Sequence, residues 1–170
     1  MARTWSACGR RAPAPSSRPL VMPVRAYEDF ALGEIVRAAG VTVTEAAILQ
    51  FALAYDPQPI HLDRQAAEQS SYGGLIASGW QVVSLSVRML LQAGLFGSAS
   101  LGSPGVDEVR WLLPVRPGDT LYAEAEVVAM RPSESKPDRG LVTIAYRSRN
   151  QRGETVLTLR AVQIVRRRTP

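Results

Sequence analysis

The stretch Tyr55–His61 reads Y-D-P-Q-P-I-H and places a carboxylate and an imidazole five residues apart. His61 is the single histidine of the 170-residue sequence, and Asp56 is the acid that precedes it. An aspartate and a histidine that share one substrate atom form an acid–base pair, and positioned proton transfer accelerates a reaction by roughly 10² to 10⁴-fold. Asp56 and His61 are therefore the candidate catalytic pair.

Two prolines, Pro57 and Pro59, lie between the members of this pair. Each proline lacks a backbone N–H and pushes the preceding residue toward extended angles, which predicts a stiff, extended loop. A stiff loop suits an acid–base pair, because both side chains must be held within reach of one atom. The residues alone also leave a structural interpretation open, since Asp-Pro is a common turn and a lone histidine is often a hydrogen-bonded structural residue.

A helix is expected immediately before Asp56. Thr42 or Thr44 is the candidate N-cap, apolar residues recur up to Leu53, and Pro57 ends the pattern. Asp56 should therefore lie where the helix stops and the loop begins.

The remaining elements predict an α+β fold in which one antiparallel sheet wraps a central helix. Tyr27–Val43 suggests a strand or short hairpin, and Leu62–Ser70 a short helix capped by Asp63. Trp80–Ala93 follows Gly79 and is apolar nearly all round, which predicts a buried central helix about 21 Å long. Four later runs, separated by turn residues, predict strands over Val106–Val115, Thr120–Met130, Leu141–Asn150 and Thr155–Val165.

Composition indicates one domain over residues 23–167, since 46% apolar content suffices for one core. No apolar run approaches the roughly 18 to 20 residues that span a bilayer, so we expect a soluble, cytoplasmic protein without a membrane partner. Cys8 is the single cysteine, and no Cys/His cluster has metal-ligand spacing. The sequence thus predicts neither an internal disulfide nor a bound metal.

The net charge of +5 comes almost entirely from residues 1–22, which contain four arginines and no acid. A second basic run, Arg166–Arg168, closes the chain without interleaved aromatic residues, so no nucleic-acid partner is expected. Residues 1–22 and 168–170 are predicted to be solvated tails. Two alternatives remain for the residues before Met22. They could be a transit peptide, or the true start could be Met22, and the second alternative is favoured.

Three blocks resemble the MaoC-like dehydratase family, which includes the (R)-specific enoyl-CoA hydratases. They are D-P-Q-P-I-H-L-D from Asp56, G-G-L-I-A-S-G-W from Gly73 and P-V-R-P-G-D-T-L from Pro114. Their order and spacing extend the resemblance over roughly residues 24–167. The resemblance implies a hot-dog fold, a curled antiparallel sheet around one long helix, and a homodimer or higher homo-oligomer whose sheets join edge to edge.

The resemblance also implies a function in fatty acid metabolism. Asp56 and His61 match the family's catalytic aspartate and histidine, which add water reversibly to a trans-2-enoyl-CoA to give a (R)-3-hydroxyacyl-CoA. No cofactor is implied beyond the coenzyme A of the substrate. Backbone N–H groups near Ser78 and Gly79 are the expected oxyanion donors. Ser84 corresponds to a polar helix residue near the site, and a core serine bonded to its own helix is the alternative.

The match to the family is incomplete in the catalytic motif. Tyr55 replaces a glycine, Gln58 replaces an asparagine, and A-S-G-W lacks the histidine that many relatives carry. Two other functions therefore stay open, a hot-dog acyl-CoA thioesterase and a non-catalytic acyl-CoA-binding module. Three cationic residues are candidates to bind the phosphates of coenzyme A, with a solvated hairpin tip as the alternative. They are Arg131, Lys136 and Arg139.

Overall fold

An antiparallel sheet of seven strands curls around one long helix in the computed structural model, which describes residues 24–168. The strands are β1 (Ile35–Arg37), β2 (Val41–Thr42), β3 (Ser100–Gly102), β4 (Arg110–Trp111), β5 (Thr120–Pro132), β6 (Arg139–Arg149) and β7 (Thr155–Arg166). The helices are α1 (Glu45–Tyr55), α2 (Pro59–Leu62), α3 (Arg64–Gln69) and α4 (Gly79–Gln92), with a 3-10 turn over Tyr27–Asp29. This arrangement confirms the predicted α+β hot-dog fold class.

The three long strands, β5, β6 and β7, form the middle of the sheet, and their inward side chains share one hydrophobic core with α4. The strand order is β1-β5-β6-β7-β3, while β2 pairs with β5 and β4 pairs with β7. Side chains along β5, β6 and β7 alternate between buried and more exposed positions, as a sheet with one covered face requires. Ala125, Ile144 and Leu159 point inward and share one core with Leu90 of α4.

Helix α4 is the predicted central helix, but it is buried on one side only and its opposite side is exposed. Val82, Ser86 and Met89 face the sheet and are buried, whereas Ser84 and Arg88 on the opposite side are exposed. Within the core, the Ser148 hydroxyl donates to Ser86 Oγ at 2.7 Å, and the Ser86 hydroxyl donates to the Val82 carbonyl oxygen at 2.7 Å. These bonds satisfy hydroxyl groups that burial would otherwise penalise.

The N-terminal half follows the predicted boundaries closely around α1 and α3. Thr44 is the N-cap of α1, with its hydroxyl oxygen accepting from the Ala47 N–H at 3.2 Å. Thr42 belongs to β2, where its hydroxyl bonds to that of Thr120 at 2.8 Å. Asp63 caps α3 as predicted, accepting from two backbone N–H groups.

The predicted strand Val106–Val115 is the largest error in secondary structure. Only Arg110 and Trp111 pair with β7 as a strand, and Val106 forms an isolated bridge with Ala161. The short strand β3, which the sequence did not indicate, occupies the same edge of the sheet beside β7. The edge is therefore divided between two short strands, and the segment that follows Trp111 is irregular.

The structure describes the start of the predicted C-terminal tail but none of the predicted N-terminal tail. The predicted N-terminal tail, residues 1–22, lies outside the described residues. At the other end, Arg167 and Arg168 contact the 3-10 turn, with Arg167 Nε donating to Glu28 Oε1 at 2.9 Å and Arg168 Nη2 to Asp29 Oδ1 at 2.5 Å. Acidic residues of the 3-10 turn thus lie opposite Arg168, the first residue of the predicted solvated tail, whose side chain is still 65% exposed.

Candidate active site

Asp56 lies at the point where α1 ends. Its backbone N–H donates to the Ala52 carbonyl oxygen at 3.0 Å, and Pro57 prevents the helix from continuing. The carboxylate is held at both oxygens, since Oδ2 accepts from the Ser78 hydroxyl at 2.6 Å and Oδ1 accepts from Gln58 Nε2 at 2.8 Å. Two donors thus fix the orientation of the carboxylate.

His61 lies on the single-turn helix α2, which corrects the prediction of an extended loop up to this residue. Pro59 occupies the first turn of α2, where a missing N–H leaves no helix bond unmade, so the second proline starts a helix. Before α2, Gln58 is extended, and its N–H donates to the Asp56 carbonyl oxygen at 2.8 Å, which closes a tight turn around Pro57. The short helix brings the His61 ring into the protein, where it is buried.

The two ring nitrogens of His61 have different partners. Nδ1 is 2.9 Å from the Ile76 carbonyl oxygen, and because a carbonyl only accepts, Nδ1 carries the proton. In the neutral ring, Nε2 is then an acceptor, and it faces Asp56 Oδ2 at 3.5 Å. Two acceptors at this separation suit a water molecule that donates one hydrogen to each, which would point its lone pairs away from the pair.

Ser78 and Gly79 begin α4 directly beside Asp56. Ser78 is fully buried and is the N-cap, so its hydroxyl oxygen accepts from the Trp80 N–H at 3.2 Å while its hydroxyl hydrogen is donated to Asp56. Gly79 is the first helical residue, whose N–H has no acceptor within the helix. Gly79 lines the same cavity as the Asp56 and His61 side chains. The structure therefore brings four of the predicted site residues together.

The four consecutive residues Ile76–Gly79 are each bonded to a different part of the chain. The Ile76 N–H donates to the Ile60 carbonyl oxygen at 3.2 Å, and the Ala77 N–H donates to the Val115 carbonyl oxygen at 2.8 Å. Ser78 bonds to Asp56 as described, and the Gly79 carbonyl oxygen accepts from the Trp111 indole N–H at 2.9 Å. We call residues 76–79 the anchored segment.

A cavity of about 400 Å³ opens in front of the anchored segment. Its charged or titratable lining groups, apart from the exposed Tyr72, are Asp56 and His61. Most of the wall is apolar, and it includes Ile60, Ile76, Val82, Trp80, Trp111, Leu112, Leu113 and Val156. An apolar cavity with a few convergent polar groups is the usual form of a small-molecule site.

Four other predicted site residues lie away from this cavity. Ser84 is exposed on α4 and does not line the cavity. The three cationic residues proposed for coenzyme A lie on or beside the hairpin between β5 and β6. This hairpin lies next to the C-terminal end of β7, whereas the cavity lies next to the N-terminal end of β7. The strand β7 is twelve residues long, so the two sites are about 35 Å apart along the sheet. The residues are Arg131, Lys136 and Arg139.

Two of these cationic side chains already have acidic neighbours on the hairpin. Arg131 Nη1 is 3.5 Å from Glu134 Oε1, and Arg139 donates from Nε and Nη2 to Asp138 at 2.8 Å each. These pairs favour the alternative of a solvated hairpin tip.

The sequence singled out Gln58 as a replacement in the motif without fixing its contact, and it did not indicate the contributions of Trp80 and Trp111. Gln58 replaces the asparagine of the family motif, yet its longer side chain reaches Asp56. Trp80 and Trp111 form an edge-to-face pair with ring centroids 5.3 Å apart. The sequence signal was present for Trp80, which immediately follows Gly79, but Trp111 lies in a run whose partner in space the sequence does not reveal.

Within residues 24–168 no group of three or more His, Cys, Asp or Glu side chains is arranged to hold a metal ion. In the same range, every helix is too short or too polar to cross a membrane.

Hydrogen bonds from Ser78 and then from Gln58 hold the pKa of Asp56 below its usual value of 3.8. The carboxylate is therefore ionised at neutral pH. We expect Ser78→Ala to raise the pKa of Asp56, because the strongest stabilising bond to the charged form is lost. Any activity that needs the ionised carboxylate would then fail at a higher pH as the solution is acidified.

The measurement is the acid limb of a kcat/KM profile, with folding followed by circular dichroism at each pH. Gln58→Ala should move the limb in the same direction by a smaller amount. Ser98→Ala, at an exposed serine beyond the other end of α4, is the matched control. A limb that stays in place in Ser78→Ala would contradict the assigned role of the Ser78 hydroxyl.

Comparison with known proteins gives consistent matches. The family model described as "MaoC like domain" matches residues 29–147. A crystal structure of the MaoC-like dehydratase from Rhodospirillum rubrum is 43% identical, with a TM-score of 0.80 over 85% of this chain and 99% of that one. The (R)-hydratase from A. caviae involved in PHA biosynthesis is 31% identical, with a TM-score of 0.66 over 80% of this chain and 97% of that one.

A sequence match to a larger enzyme is more local. Mesaconyl-CoA hydratase from Cereibacter sphaeroides is 44% identical over 64 residues, which cover 38% of this chain and 18% of that protein. The chain therefore corresponds to a small part of this relative.

Proposed function

The chain belongs to the MaoC-like domain family, and from this membership we propose that it adds water reversibly to a trans-2-enoyl-CoA, giving a (R)-3-hydroxyacyl-CoA. The single observation that carries the proposal is the geometry of the pair, with Asp56 Oδ2 and His61 Nε2 3.5 Å apart at the cavity wall. The similarity to a protein named (R)-hydratase supports the stereochemistry.

The proposed reaction begins with a water molecule held between Asp56 and His61. Asp56 is ionised and accepts one hydrogen, while the unprotonated Nε2 of His61 accepts the other. As the water oxygen forms a bond to C3 of the substrate, one proton passes to the pair, and the C2=C3 electrons move toward the thioester oxygen. The same proton is then delivered to C2, so that one water is added and the pair returns to its initial state.

The enolate-like oxygen that forms in this reaction needs hydrogen-bond donors. The Gly79 N–H lies at the N-terminal end of α4, where the partial positive charge of the helix is concentrated, and Gly79 lines the cavity. One such donor is worth about 3 kcal/mol in comparable sites. We assign this group as the oxyanion donor, with Ser78 holding both the helix start and Asp56.

The reaction moves water and a proton only, so the proposal includes no cofactor beyond the coenzyme A of the substrate. A reducing compartment such as the cytoplasm suits a chain whose single cysteine, Cys8, has no internal partner. We place the activity there.

The direct test is the absorbance of the conjugated thioester in crotonyl-CoA, with a thiol reagent in a parallel well. Loss of absorbance without thiol release is the expected result, and chiral analysis of the product should give the (R) isomer. Thiol release would instead indicate a thioesterase. Binding of both crotonyl-CoA and a longer trans-2-enoyl-CoA without turnover would indicate a binding module.

We also propose that two copies of the chain meet along the edge of the sheet formed by β3 and β4. Among residues 24–168, β7 is the one strand that pairs with β4, so the other side of β4 is open within this range, and Val106 beside it is 52% exposed. An apolar open edge is a template for another strand, and pairing two copies removes it. We expect light scattering after size exclusion to give twice the chain mass of 18.5 kDa, or a multiple of that value. A mass of 18.5 kDa at micromolar concentration would contradict the pairing.

A further inference from the structure

Trp111 makes a close and directed contact with the first residue of α4. Its indole N–H donates to the Gly79 carbonyl oxygen at 2.9 Å. The ring also fills the space that a side chain at position 79 would need, because a Cβ built on Gly79 would lie 2.6 Å from Trp111 Cε2 and Nε1. Glycine at this position therefore allows the indole to lie directly against the helix backbone.

The Trp111 ring is itself held in place by its neighbours. Its backbone pairs with Leu157 of β7, and the next residue, Leu112, donates its N–H to the Val156 carbonyl oxygen at 2.9 Å. Trp80 packs edge to face against the ring, with the ring planes at 80°. Nevertheless Trp111 remains 45% exposed, so core packing alone does not account for its placement.

Gly79 needs such support because a glycine restricts its own backbone dihedral angles less than the other residues of the site do. Glycine has no Cβ to limit its dihedral angles, and an N-terminal residue of a helix makes few helix bonds. Ser78 restrains the following peptide by accepting from the Trp80 N–H. The Trp111 bond restrains the Gly79 carbonyl, and thereby the rotation of a residue that lines the cavity.

We propose that Trp111 is a positioning residue, which fixes the Gly79 N–H in the direction required to stabilise the oxyanion. This inference rests on the proposed hydratase function and adds to it a residue from a separate element of the fold. An oxyanion donor works only within a narrow distance range, and a displacement of about 1 Å at a reacting centre costs about 10²-fold in rate. Trp111 also lines the cavity, and its N–H acts on the site through Gly79.

The test is Trp111→Phe, which keeps an aromatic ring and removes the N–H donor. We expect kcat for crotonyl-CoA to fall by about 10- to 100-fold, because the donor is misplaced and not removed. KM should change by less than about threefold, since the interaction is made mainly in the transition state. The second readout is the infrared carbonyl stretch of bound butyryl-CoA labelled with ¹³C at the thioester carbon, which no hydratase can convert. Its shift to lower frequency should be smaller in Trp111→Phe than in the wild type.

Trp80→Phe provides the comparison, because it alters the other ring of the pair without touching a bond to Gly79. It should change KM and leave the carbonyl stretch at the wild-type position. Should Trp111→Phe fail to fold, 3-benzothienylalanine incorporated at position 111 replaces the N–H by sulfur within nearly the same shape and gives the same test. Unchanged kcat and carbonyl stretch in a folded variant would overturn the inference.

The failure of the inference is distinguishable from that of the proposed function. Wild-type protein that hydrates crotonyl-CoA, with an unaffected Trp111→Phe variant, contradicts only the role of Trp111. Wild-type protein that neither hydrates crotonyl-CoA nor shifts the carbonyl stretch of butyryl-CoA contradicts the proposed function and, with it, the inference.

Discussion

Replacing Asp56 by Asn should lower kcat/KM for crotonyl-CoA by about 10³-fold, within the range expected for loss of one acid–base group. Asparagine has nearly the same shape and still accepts a hydrogen bond from Ser78, but it carries no charge and does not take a proton from water. The loss should appear mainly in kcat, because in the proposed reaction the carboxylate acts on the water and not on the coenzyme A portion of the substrate.

Asp138→Asn is the matched control for this prediction. Asp138 is an exposed carboxylate on the hairpin after β5, bonded to Arg139, and it is remote from the cavity. Initial rates of absorbance loss measure both variants, and butyryl-CoA binding verifies that each site is intact. If Asp56→Asn kept a tenth or more of the wild-type rate, Asp56 would not be the acid–base group.

Replacing His61 by Asn should cause a loss of similar size, about 10² to 10⁴-fold in kcat. The asparagine amide nitrogen lies near the position of Nδ1 and can still donate to the Ile76 carbonyl oxygen, so the turn of α2 should keep its anchor. The group at the position of Nε2 is absent, and the water loses one of its two acceptors. His61→Ala removes both contacts and should in addition lower the melting temperature.

Comparing the two His61 variants separates a role of the imidazole in the reaction from a role in stabilising the fold. Equal melting temperatures for wild type and His61→Asn, with strongly reduced kcat, would assign Nε2 to the reaction. Activity near the wild-type level in a stable His61→Asn would leave His61 as a structural residue, which is the interpretation that the sequence alone left open. Combining Asp56→Asn with His61→Asn should cost little more than the worse single variant, because the two side chains act as a unit.

Much of the local arrangement of the site could be predicted from the sequence. Pro57 marks the end of α1, which places Asp56 at the helix terminus, and Ser78 and Gly79 mark the start of α4. These features depend on residues within one turn of each other, where caps and prolines are decisive. The position of His61 was less accessible, because Pro59 is equally compatible with an extended residue and with the first turn of a helix.

The contacts that connect the site could not be predicted in the same way. Ser78 reaches Asp56 across 22 residues of sequence, and Trp111 reaches Gly79 across 32. The first pair joins α4 to the end of α1 and the second joins α4 to β4, so their distances depend on the tertiary fold. The strand Val106–Val115 was predicted too long, because the short strands β3 and β4 share the edge of the sheet beside β7.

The anchored segment has a consequence for how the protein responds to heat. Residues 76–79 are hydrogen-bonded to α2, to Val115, to the end of α1 and to β4. Each of the four residues is therefore restrained as long as the bonds of its neighbours remain intact. The residues of the site are therefore already held in place without substrate. Substrate binding does not have to offset an entropic cost of ordering them. On warming, we therefore expect the site to be lost together with the sheet and α4 in one cooperative step, so that thermal inactivation coincides with global unfolding.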